Sequence, residues 1–153
     1  MKVEHINPFI ESVSDLFTTM LGAEVSRGEI GVLKEIPPNR DIVALVELNG
    51  STRGIVAISF PVGTALAMVG RMQGSEVRFV DETVRDSVIE LVNLITSGAK
   101  SKLSGDGKGF NFGNPSIVRG NSYSVDPHTH STWLDVPFTS ELGDFCIRMT
   151  FEL

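Results

Sequence analysis

"RDSVIELVNLITSGAK", residues 85–100, decides the fold. Val88, Leu91 and Ile95, with Val84 just ahead of them, recur at helical spacing and predict a long helix from about Asp81 to Leu103. At about 100° per residue, Asp86, Glu90, Asn93 and Ser97 gather on the opposite side of the wheel. Glu90 and Asn93 stand three residues apart, so a carboxylate and an amide project from one face. Ile89 and Leu94 flank this polar strip, and an apolar rim around polar residues on a helix face has the character of a contact surface. Spacing alone leaves the bland reading open: Asp86 and Ser97 in particular read as solvated helix surface.

The same kind of pattern opens the chain. In "NPFIESVSDLFTTMLG", residues 7–22, Phe9, Ile10, Val13, Leu16, Phe17 and Met20 make one apolar face. Asn7 reads as the cap, Pro8 as the first helical residue and Gly22 as the stop. The two helices overlay with Glu11 opposite Glu90 and Ser14 opposite Asn93.

Strand-like runs follow each helix. After the first come 28–36, 41–48 and 54–60, the last two separated by an Asn49-Gly50 turn signal. After the second come 116–120, 131–138 and 144–153. Residues 61–74 begin with Pro and end with Gly, and read as a shorter helix between the halves. The order predicts an α+β fold of two similar helix-plus-strands units. Short turns imply antiparallel pairing, so two long helices should pack on one antiparallel sheet. At 153 residues the chain is the size of a single domain, with internal halves of about 1–75 and 76–153.

Composition narrows the function. Thirteen Lys plus Arg stand against 19 Asp plus Glu, a net charge of −6, and no basic cluster forms the footprint that nucleic acid requires. The longest uncharged run, 54–70, is interrupted by Pro61 and Gly63 and falls short of a membrane span. "MKVEHINPFIE" does not read as a secretory leader, and the single cysteine, Cys146, reads as a small buried hydrophobe. These features fit a reducing, cytoplasmic setting. His128-Thr129-His130 lacks a third ligand and reads as a surface loop. "GDGKG", 105–109, follows a helix and has no Ser or Thr after its Lys, so it reads as a helix stop and not as a phosphate loop. No metal or cofactor is expected to belong to the chain. Trp133 and Phe138 read as strand core or interface.

Asp86-x-x-x-Glu90-x-x-Asn93, continued by Gly98-Ala99-Lys100 and by Pro115 in "GNPSIV", resembles the signature of the CheC/CheX/FliY phosphatases of bacterial chemotaxis. The resemblance spans nearly the whole chain. It lies nearest CheX, whose members carry one Glu-x-x-Asn pair, on the second long helix, whereas CheC-type members typically carry two. Here Ser14 stands in the Asn place of the first helix, which implies a catalytically silent first half. The resemblance implies a CheC-like two-layer fold and an aspartyl-phosphate substrate on a CheY-like response regulator. It further implies that Asn93 orients the attacking water and that Glu90 pairs with a lysine of the partner. Asp86, Ile89, Leu94 and Ser97 would then be partner-binding. Mg²⁺ would sit in the regulator, and the chain would form a homodimer, for which the strand-rich segments 131–138 and 144–153 offer possible edges. A module of the same fold that binds a regulator or the flagellar switch without hydrolysis is the alternative, and a self-associating structural domain is the plainest one.

Overall fold

A computed structural model describes residues 5–34, 39–50, 53–103, 111–119 and 132–151. Helix α1 (Asn7–Leu16) continues into a π-helical turn, Phe17–Leu21. Strands β1 (Val25–Arg27), β2 (Gly31–Leu33), β3 (Ile42–Asn49) and β4 (Gly54–Phe60) follow. Helices α2 (Val62–Gln73) and α3 (Glu82–Leu103) come next, then β5 (Asn111–Phe112), β6 (Ser116–Arg119), β7 (Trp133–Ser140) and β8 (Phe145–Phe151).

The strands form one antiparallel sheet in the order β1-β7-β8-β4-β3-β5, with β2 also on β7 and β6 also on β3. Exchanging β1 with β5, β2 with β6, β3 with β7 and β4 with β8 maps this order onto its own reverse. The two halves are therefore related by a pseudo-twofold running between β4 and β8. Each half lends its first two strands to the other: β1 and β2 pair with β7, while β5 and β6 pair with β3.

Period-2 alternation explains how the sheet is covered. Ile42, Ala44 and Val46 of β3 point to the helices, as do Ile147 and Met149 of β8. α1, α2 and α3 all pack on this face, so the layer holds three helices and not only the two long ones. The opposite face has its own small core of Val43, Ala57 and fully buried Trp133, flanked by Leu33, Leu45, Ile55 and Val118. Trp133 and Phe138 are thus both core, on opposite faces of β7. Phe145 joins strands to helices on the inner face: its ring stacks on Phe138 at 4.9 Å and on Phe17 at 5.5 Å, with Phe60 at 5.6 Å.

Several local expectations shift. Asn7 does not cap α1: Ile6 is already in helical geometry (φ −86°, ψ −39°), so the helix begins one residue earlier and no side chain caps it. The expected strand 28–36 is strand only over Gly31–Leu33, residues 35–38 lie outside the described set, and β1 precedes it unforeseen. The break lies opposite Pro137, which has no N–H to give to a neighbouring strand. Gly28 fits against the proline ring there and donates its own N–H to the Pro137 carbonyl at 2.8 Å. Strands β7 and β8 are each paired on both sides, so segments 131–138 and 144–153 do not supply free edges; the open edges are β1/β2 and β5/β6. Met20 is 40% exposed and not part of the apolar face. The π turn adds a residue to the helical repeat, so Leu21 takes the buried position that a 3.6-residue period would assign to Met20.

Candidate functional site on the outer face of helix α3

Helix α3 is anchored first at its start. Asp81 caps it, accepting a hydrogen bond from the Val84 N–H at 2.9 Å. Along the helix, Val84, Val88, Leu91, Val92, Ile95 and Ala99 are buried against the sheet and α1. At the crossing with α1, Ser12 donates its hydroxyl to the Ile95 carbonyl at 2.7 Å. Gly98 permits the approach, because a Cβ there would collide with that hydroxyl. A helix tied down by a cap, a buried stripe and a close crossing is a rigid mount for whatever its outer face carries.

That outer face carries Asp86, Glu90, Asn93 and Ser97, all exposed, as the wheel predicts. Ile89 is half-buried and Leu94 is 41% exposed. Among the described residues, neither the Glu90 carboxylate nor the Asn93 amide has a hydrogen-bonding or ion-pair partner, so both are available to an incoming group. The Asn93 backbone, in contrast, is fixed, its carbonyl accepting the Thr96 hydroxyl at 3.2 Å. Side chains at i and i+3 on such a helix stand about 5–6 Å apart at Cβ, close enough to enter one small pocket together.

The corresponding place on α1 is arranged differently. Glu11 lies 4.0 Å from Lys102 of α3, and Asp15 lies 3.1 Å from the same ammonium. Ser14 is exposed beside a shallow polar groove shared with Thr18, Glu24 and Glu141. The first helix thus has a carboxylate drawn toward an internal cation and a hydroxyl where the second has a free carboxylate and an amide.

Cys146 does not compete for the role. Burial pushes the Cys146 thiol up from 9.0 to about 12; nearby Arg148 opposes the rise, while Asp135 and Asp41 add to it. Such a thiol is protonated in the fold and is no nucleophile. Its unfolded counterpart ionises near its ordinary value of 9.0. The stability it contributes is therefore whole below about pH 9 and is lost as pH rises toward 12. Cys146→Ala should flatten the fall of the urea midpoint above pH 9, and native Cys146 should alkylate with iodoacetamide far more slowly than the unfolded protein at pH 8.

Among the described residues, no group of three or more His, Cys, Asp and Glu is placed to hold a metal ion, and no helix is long and apolar enough to cross a membrane. His128 and His130 and the 105–109 loop lie outside the described residues. Pro115 sits half-buried directly before β6, where it shapes the entry to that strand.

Three helices packed on one face of this antiparallel sheet make the α+β fold of the CheC-like superfamily. A solved CheC-like superfamily protein from Shewanella sp. PV-4 has 31% identity over 100% of both chains, with a TM-score of 0.87. CheX from Vibrio vulnificus has 31% identity over 97% of this chain and 99% of its own, at 0.84. The CheX of a CheX–CheY–BeF₃–Mg²⁺ complex from Borrelia burgdorferi has 25% identity over 99% and 100%, at 0.79. No curated protein matches the chain. The family model for the chemotaxis phosphatase CheX matches residues 42–139, and the chain belongs to that family.

Proposed function

We propose that this protein is a phosphatase that removes the aspartyl phosphate of a CheY-like receiver domain by laying the outer face of α3 over the phosphorylated pocket. The observation that carries this reading is the pair of exposed, unengaged side chains, Glu90 and Asn93, on a rigid helix of a CheX-family chain. The relative captured with CheY, BeF₃ and Mg²⁺ supports the partner class, since BeF₃ bound to a carboxylate oxygen takes the tetrahedral shape of an acyl phosphate.

An acyl phosphate already carries a good leaving group, so catalysis consists mainly of placing water in line and stabilising charge. The Asn93 amide offers a donor and an acceptor on a short side chain and needs no proton exchange to orient that water. Glu90 pairs with a lysine beside the phosphate, a charge-assisted contact that docks the helix and fixes its register. Asp86, Ile89, Leu94 and Ser97 complete the surface that meets the partner. Mg²⁺ belongs to the receiver's acidic site, and a CheY-like partner places the reaction in the cytoplasm. The same reading includes a homodimer built on the open β1/β2 or β5/β6 edges.

The test is phosphate release from a panel of phosphorylated receiver domains with and without this protein. The wild-type chain should shorten the phosphate lifetime of at least one. Glu90→Ala should raise KM for that receiver by about tenfold, the scale of one lost charge-assisted contact, and should also lower turnover. No acceleration on any receiver, with binding intact, would leave only the binding-module reading.

A further inference from the structure

We infer that the apolar groove between α1 and α3 is a docking slot for an aliphatic or methionine side chain of the receiver domain, so that the catalytically silent helix helps to choose the partner. This rests on the receiver-binding reading above. Four large hydrophobic side chains are conspicuously exposed among the described residues: Met20, Val32, Phe79 and Leu94. Two of them, Met20 at 40% and Leu94 at 41%, come from different halves of the chain yet line one groove with Leu16, Thr19 and Gly98. The groove exists because Gly98 carries no side chain where the helices cross, and because the π turn swings Met20 out of the core. Its one acidic lining residue, Asp15, is already paired with Lys102 at 3.1 Å, so the slot favours an apolar occupant.

Position and size point to the same partner that Asn93 addresses. Leu94 follows Asn93 directly, so the groove borders the polar strip and is continuous with the proposed contact face. A specific interface covers about 800 Å² on each partner, far more than one strip of a helix can supply. A receiver seated over Glu90 and Asn93 must therefore cover adjoining surface as well. Met20 would act as a specificity-determining residue, since an unbranched thioether adapts to side chains of different shape.

The test compares Met20→Gln, Leu94→Gln and the double variant, with Phe79→Gln, an exposed residue between α2 and α3 that does not line the groove, as the control. Turnover of phosphorylated receivers is measured together with direct binding of the same receivers loaded with BeF₃ and Mg²⁺, and with sedimentation of the protein alone. Each groove variant should raise KM and Kd about tenfold, as expected for losing one buried apolar side chain, while kcat stays within about twofold. Phe79→Gln should change neither. Unchanged Kd in the groove variants, or a loss of self-association without a change in Kd, would overturn the inference; the latter would assign the groove to a second copy of this chain. If the wild-type protein binds loaded receivers but does not hydrolyse them, the docking slot stands on the Kd values while the phosphatase reading falls. If it binds none, both fall.

Discussion

Asn93→Ala should reduce stimulated dephosphorylation by about two to three orders of magnitude, the scale seen when one preorganised polar group is removed from a reacting centre. The loss should appear in kcat, with Kd for a BeF₃-loaded receiver changed only a few-fold, because Glu90 and the flanking apolar residues still dock. Stability separates this outcome from simple misfolding. Asn93 is exposed, its side chain holds no partner among the described residues, and alanine is the better helix former by roughly half a kcal/mol. The variant should therefore melt at the wild-type temperature or slightly above it. A protein that is more stable, binds normally and fails to hydrolyse has lost chemistry alone. Hydrolysis by Asn93→Ala at the wild-type rate would exclude the amide as the water-orienting group.

The largest structural effect is expected at Phe145→Ala. Phe145 is 3% exposed and its ring meets Phe17, Phe60 and Phe138, which belong to the helix layer, β4 and β7 respectively. Truncation removes the ring's burial and leaves a void that three other rings on different elements cannot close together. Phe→Ala changes in such cores cost about 3–5 kcal/mol. At this chain length that lowers Tm by roughly 10 °C. Phe145→Leu, which keeps much of the volume, should cost less than half as much. Urea denaturation would measure both; equal losses for Leu and Ala would show that ring stacking, and not volume, holds the seam.

Much of this was legible in the sequence. The positions of Glu90 and Asn93 follow from a 3.6-residue period because α3 is regular along its length, and the buried Val84, Val88, Leu91 and Ile95 fix its orientation. The strand-like runs 41–48 and 54–60 on either side of Asn49-Gly50 likewise read as a hairpin, and β3 and β4 do pair there. What escaped reading depends on partners distant in the chain or on departures from regular repeats. Pro137 divides the edge into β1 and β2 from the far end of the sequence, and no local pattern around Gly28 records it. Met20 looks like core until the π turn is seen, so the groove it forms with Leu94 could not be anticipated from either helix alone. Ser14 announced that the first helix differs from the second, whereas the hold of Lys102 on Glu11 and Asp15 required the helices to be placed side by side.

The exchange of outer strands between the halves also sets a timetable for synthesis. Val25 pairs with Ser140, and Arg27 with Phe138. A ribosome adding about 5–20 residues per second needs on the order of ten seconds to travel from one partner to the other. During that interval β1 and β2 have been made but the strand that receives them has not. The first half therefore cannot close its sheet as it emerges, and its outer strands must wait, or be shielded, until β7 arrives.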